Sequence, residues 1–442
     1  MKKVGYAAVM MAILLLTACK AGGNAQESME TGVSSKTEVK STKETGTEPV
    51  RLKFFCFSGV PKEVEYFKQA VAEFEKDNPG VTFDVEYLPH NDLVTKVNVA
   101  YASGSYPDLI YSPIGELITW TAKGQIAPID SYLDEWGARE NVVENILDMA
   151  SYKDQVYGLG IRSNCRFLAY RKDLFEEAGL DPEKPPKTWE ELEDYAQKLT
   201  KRDKNGVITQ VGFDMFSQGN ESAFQWEGFV KQNGGEICNP DTDELLINNP
   251  KAIEALQFLS ELYSKDICPP MNGNTAAEWP FMKGYSAMAN ISVDHYNTLI
   301  SNFPELKGKV GFTVSTERES KGCIGGLITL AIGSESKHKD ECAAFMKYLL
   351  SDEENQKRVD QIGCPPIVKS MKESYIKQNP ELNSVILEAI EYSVTRPRTT
   401  WSSVYTTQEA LMFESVLIGG VDPKEAVANL EEAVQKEIDR AK

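Results

Sequence analysis

A chain of 442 residues exceeds one ordinary hydrophobic core, so two lobes are expected. Lys and Arg number 47 against 66 Asp and Glu, a net charge of −19 that disfavours nucleic acid and anionic lipid headgroups as partners. Eight cysteines and three histidines, with no C-x-x-C or H-E-x-x-H spacing among them, give no support to a metal site, and no cofactor is expected.

In chain order, Met1, Lys2 and Lys3 precede a nearly all-apolar run from Val4 to Leu16, the pattern of a secretory leader. The run is too short to span a bilayer, which takes about 20 residues. It ends in Leu16-Thr17-Ala18-Cys19, which resembles a bacterial lipobox. Residues 1–18 are therefore expected to be a lipoprotein signal peptide, and Cys19 the lipidated residue of a membrane attachment made by lipid alone. Residues 19–49 carry no aromatic and are dominated by Ser, Thr, Gly, Lys and Glu, the composition of a disordered tether. The seven remaining cysteines, odd in number and scattered, read mostly as small buried apolar residues, with room for one bridge in an oxidising compartment.

The folded body opens with "RLKFFCFSG", a short apolar strand. Then "EYFKQAVAEFEKDNPG" sets Phe67, Ala70, Val71 and Phe74 at helical spacing before Asn78-Pro79-Gly80 stops it. "VTFDVEYL" alternates as a half-buried strand, so the opening is a βαβ unit of a largely parallel sheet. Further on, "PDLIYS" and "GGLITLAIG" read as strands. Thr188 with Glu191, Asn249 before Pro250, Ser351 with Glu354, and Asp422 each start a helix. No G-x-S-x-G or G-x-x-x-x-G-K-[ST] occurs, and Gly325-Gly326 is a turn signal too slight for a phosphate loop. With 66 acids, a glycosidase-like carboxylate pair carries no information.

The order of "FEKDNPGVTFDVEYL", "ASGSYPDLIYS", "AKGQIAPIDSYL", "PPKTWEELEDYAQKLT", "FMKGYSAMA" and "GCPPIVKS" resembles extracellular solute-binding proteins of the maltodextrin-binding type, the receptor lipoproteins of ATP-driven sugar importers. The resemblance covers nearly all of Val50 to Lys442 and implies an α/β, two-lobed periplasmic-binding-protein-like fold with its ligand cleft between the lobes. The first lobe would take residues 50–162 plus 316–368 and the second 163–315 plus 369–442. The implied function is capture of a mono- or oligosaccharide by hinge closure and delivery to ABC permease transmembrane subunits, without catalysis, by a monomer on the outer face of the cell membrane.

Sugars offer hydroxyls to polar groups and C–H faces to aromatic rings. The resemblance carries ligand contact onto Ser58 after the first strand, where a plain turn serine is the equal alternative. It also carries contact onto Ser112 after "PDLIY", Asn164, Gly325, and Trp401 in "SVTRPRTTWSSVY". Trp226 and Trp279 are the second-lobe ring candidates, although a Trp at helical spacing is more often core. Asp294 and His295 stand where relatives commonly carry a Trp, which implies a polar grip. Arg396 and Arg398 either pair with acids or, facing the cleft, make an anionic sugar or glycerol-phosphate the cargo. A surface glycosidase is the alternative from another class, and a sensory role is a further one.

Overall fold

The computed structural model describes residues 49–215, 220–239, 242–268 and 280–441, and Glu48–Lys442 forms one compact unit. The leader, Cys19, the tether up to residue 48 and Trp279 lie outside the described residues.

The opening βαβ unit forms as its periodicity demands. Strand β1 (Val50–Phe57) pairs in parallel with β2 (Val81–Leu88) over its whole length, from Val50↔Val81 to Phe57↔Leu88. Between them α1 (Pro61–Asp77) starts on a proline at its first turn and buries Tyr66, Phe67, Ala70, Val71 and Phe74 against the sheet. Asn78 stops it by returning its amide to the Phe74 carbonyl at 2.9 Å. Helix α2 (His90–Ser103) and β3 (Leu109–Pro113) follow, and β3 lies parallel to β1 on its other side.

The chain then builds a short helix α3 (Glu144–Met149) and β4 (Leu159–Cys165), crosses, and enters a second sheet through β5 (Phe167–Arg171). After α4 (Trp189–Leu199) come β6 (Lys201–Arg202), β7 (Ile208–Asp214), α5 (Asn220–Gln232) and α6 (Pro250–Ser264). Strand β8 (Ser286–Ile291), α7 (Val293–Asn302) and β9 (Val310–Thr313) complete it, giving the order β9-β5-β8-β7-β6. The chain returns through β10 (Cys323–Ile332), which lies antiparallel to β3 and β4. Helices α8 (Lys339–Leu349), α9 (Asp352–Ile362) and α10 (Pro380–Glu391) follow. Strand β11 (Ser393–Val394) then joins β10 and makes the first sheet β11-β10-β3-β1-β2, with β4 also on β10. Helices α11 (Ser402–Leu417) and α12 (Pro423–Ala441) end the chain against α6 and the second core. The fold is thus α/β and two-lobed.

The helix starts follow the sequence signals in detail. Thr188 accepts the Glu191 N–H at 3.2 Å, Asn249 the Ala252 N–H at 2.9 Å, Ser351 the Glu354 N–H at 3.3 Å, and Asp422 those of Lys424 and Glu425. Gly325-Gly326 corrects one expectation, because both glycines lie inside β10 and make no turn. A Cβ on Gly325 would stand 2.7 Å from the Ser393 Cβ, so glycine is needed there for the close approach of β11. The seven described cysteines are all free and, apart from half-buried Cys238, buried.

Candidate functional site

Strand polarity makes the site. The carboxyl ends of β1, β2, β3 and β4 share one edge of the first sheet, because β4, like β3, runs antiparallel to β10. In the second sheet β8 runs parallel to β7, and antiparallel β5 enters at the same edge, with Phe167 opposite Ile291. The segment from Arg162 to Phe167 passes directly from one edge to the other, which is where open α/β sheets place ligands. Alternation along β4 leaves Arg162 and Asn164 half-buried between the buried Ser163 and Cys165.

Arg162 joins the two halves. Its Nε lies 3.0 Å from Glu63 Oε1, a close charge contact without hydrogen-bond alignment, and its Nη2 donates to Asp294 Oδ2 at 2.7 Å. Glu63 sits in the first turn of α1, is 0% exposed, and accepts the Tyr111 hydroxyl at 3.3 Å. Burial raises its carboxyl above the usual range, although Arg162 and Tyr111 both pull it down. Asp294 opens α7 and keeps about half its side chain in solvent.

His295 is engaged by its own helix. Its Nδ1 accepts the Ser292 N–H at 3.2 Å in a capping box and lies 3.0 Å from Arg166 Nη1. Burial first and Arg166 second push the imidazole down to about 3, so it is neutral at any working pH. Asp214, the last residue of β7, is fully buried. One oxygen accepts the Phe281 N–H at 2.8 Å while the other has no partner among the described residues, and burial lifts the carboxyl to about 7.

The expected residues divide sharply. Ser58, Asn164, Gly325, Asp294 and His295 are brought to the facing edges, Ser58 with its N–H on the Leu88 carbonyl and Asn164 opposite Gly326. Ser112 is also at the edge but is 1% exposed, with its hydroxyl on its neighbour's carbonyl, so it offers nothing to a ligand in this conformation. Trp226 is core, 0% exposed with its indole N–H on the Ala252 carbonyl at 2.9 Å, and a ring enclosed on all sides is no platform. Trp401 is 4% exposed, donates to the Asp243 carbonyl at 3.0 Å and packs edge-on to Tyr405.

Both arginines of the C-terminal segment are committed. Arg396 pairs with buried Glu409, lies 3.8 Å from Glu227 and stacks over Phe224. Arg398 donates to the backbone carbonyls of Asp148 and Ser151. It borders hollows of ≈450 and ≈600 Å³ walled by α3 and neighbouring segments, and neither is lined by the carboxyl ends of β1, β2, β3, β7 or β8. Size alone does not make them the site.

Sequence reasoning did not single out Glu63, Arg162, Arg166 or Phe57. The Phe57 ring lies over Gly59, where any Cβ would collide with it at 2.0 Å, and stands edge-on to His90 with centroids 6.2 Å apart. That aromatic at the end of β1 was legible as the last residue before "SG". The carboxylates of Glu73, Glu353 and Glu354 could in principle hold a cation, but they converge on Lys357 Nζ, at 2.5, 3.0 and 2.7 Å.

Among known proteins, the chain is 25% identical to a putative binding protein of Brucella abortus (strain 2308) over 382 residues, covering 84% of this chain and 90% of that one. It is 24% identical over 340 residues to the sn-glycerol-3-phosphate-binding periplasmic protein UgpB of Escherichia coli (strain K12), covering 72% and 75%. Its fold matches that of the sugar-binding protein MalE from Xanthomonas citri with a TM-score of 0.78 at 21% identity, covering 89% of this chain and 98% of the other. Residues 60–356 match the family model of bacterial extracellular solute-binding proteins, and the chain belongs to that family.

Proposed function

We propose that the protein is a non-catalytic receptor that captures a neutral mono- or oligosaccharide between its lobes and hands it to the transmembrane permease subunits of an ATP-driven importer. The observation that carries the reading is the facing of two carboxyl sheet edges across a crossing whose Arg162 touches Glu63 on one side and Asp294 on the other. A ligand favours closure only if both lobes touch it, and this arrangement presents polar groups from both. The lobes are residues 50–162 with 316–368, and 163–315 with 369–442, with β4 and β11 lending their ends to the first sheet.

The lipobox-like Leu16-Thr17-Ala18-Cys19 supports a lipid anchor on the outer face of the cell membrane, with residues 19–49 as the tether and the folded body a monomer. No described helix is long and apolar enough to cross a membrane. Ser58, Asn164, Asp294 and His295 are the contacts proposed here, joined by Phe57 as a first-lobe ring.

Capture of an anionic sugar or glycerol-phosphate is the second reading, favoured by the similarity to UgpB. The charge pattern weighs against it, since Arg162 is shared by two carboxylates and Arg396 is engaged by Glu409. A phosphate would meet Glu63 and Asp294 as well as the guanidinium. Calorimetric titration with neutral oligosaccharides and with sn-glycerol 3-phosphate tests this: binding of the former supports the proposal, and binding of the latter alone overturns it. Incubation with chromogenic glycosides is expected to give no turnover.

A further inference from the structure

Helix α5 carries two buried glutamines whose fates differ. Gln232 is fully used: its Oε1 accepts from Trp189 Nε1 at 2.8 Å and Thr316 Oγ1 at 2.9 Å, and its Nε2 donates to the Gly322 carbonyl at 2.8 Å. Gln225, two turns earlier and 3% exposed, has no partner for either amide atom among the described residues. A fold that satisfies one buried amide so completely leaves the other for something else, since an unmet buried donor or acceptor costs stability. Gln225 borders a cavity of about 10 Å³, room for one water, whose walls include Arg166, Asn290, Ser315 and Ile324. Those walls come from both sheets, at the crossing itself.

We propose that Gln225 is a specificity-determining residue of the sugar site, its amide taking one hydroxyl of the bound carbohydrate. The inference rests on the receptor reading above. The chemistry selects the class of ligand. A hydroxyl donates and accepts, so it answers both the Oε1 and the Nε2 of Gln225, and the answer is the same whichever way the amide is turned. An ionised phosphate or carboxylate oxygen only accepts, and would leave Oε1 unmet.

The test compares the wild-type protein with Gln225→Met, a change that keeps length and removes both polar atoms. Maltose, mannotriose and tagatose are titrated calorimetrically, and melting curves are recorded without sugar. The expected result is a sugar-free melting temperature unchanged or raised, with binding weakened about tenfold or more for whichever of these sugars the wild type takes. Equal affinity in the two proteins overturns the proposal. So does a lowered sugar-free melting temperature, which would mean that a permanent water already satisfies the amide. If the wild type binds none of the three, the receptor reading fails and the proposal that rests on it falls with it, whereas binding by the wild type with equal affinity in Gln225→Met overturns the role of Gln225 alone.

Discussion

Replacing Arg162 by alanine leaves Glu63, 0% exposed, without the cation 3.0 Å from its carboxylate. Breaking a buried pair from one side typically costs ~3–5 kcal/mol, because the surviving charge is stranded. Glu63 can escape by taking up a proton, and that escape bounds the penalty. At 1.36 kcal/mol per pH unit above an ordinary Glu value of about 4.3, neutralisation costs about 4 kcal/mol at pH 7.5 and about 1 kcal/mol at pH 5. Without Arg162 the folded carboxyl lies above its unfolded value, so the folded state binds more protons and stability falls as pH rises. With an unfolding entropy of ~2.1 cal/mol/K per residue over a body of about 395 residues, 4 kcal/mol lowers Tm by about 5 °C. Urea or thermal unfolding of Arg162→Ala at both pH values reads this directly, and Glu63→Gln in the same background should recover most of the loss at pH 7.5. A loss under about 1 kcal/mol at pH 7.5, or an equal loss at both pH values, would refute the reasoning.

Three further outcomes are expected. Asp214, lifted by burial from 3.8 to about 7, contributes stability that is fully present below its unfolded value and lost as pH rises through about 7. The wild type should therefore lose about 2–3 kcal/mol more than Asp214→Asn between pH 5 and 7.5, and parallel pH profiles would exclude this account. Trp226→Phe removes the bond to Ala252 and core volume, so about 2 kcal/mol of stability should go while sugar affinity stays within about twofold. Thr188→Ala should cost about 1 kcal/mol through its lost contact with the Glu191 N–H, measured by urea unfolding.

The legible part of the fold was local. The period-2 run at Val81–Leu88 and the helical spacing of Phe67, Ala70, Val71 and Phe74 are decided within a few residues, as are the caps at Thr188, Asn249, Ser351 and Asp422. The second sheet was less legible because "FLAYR" and "SAMANI" are short buried runs whose partners are set by topology. In the site, the polar positions Asn164, Asp294 and His295 reach the crossing. Trp226 and Trp401 do not offer their rings, because helical spacing looks the same for a core indole and for one facing a ligand. Glu63 and Arg162 escaped notice for another reason. Each is an unremarked charge in its own segment, and only the crossing brings them together with Asp294.

The receptor claim is tested most directly by thermal unfolding of the protein alone and with neutral mono- and oligosaccharides or sn-glycerol 3-phosphate. A sugar at 100 times its dissociation constant stabilises the folded state by about 2.7 kcal/mol, a rise of about 3 °C for a chain this size. The account predicts such a rise with at least one neutral sugar and none with the phosphate. A rise with the phosphate alone, or with no compound tried, would contradict it.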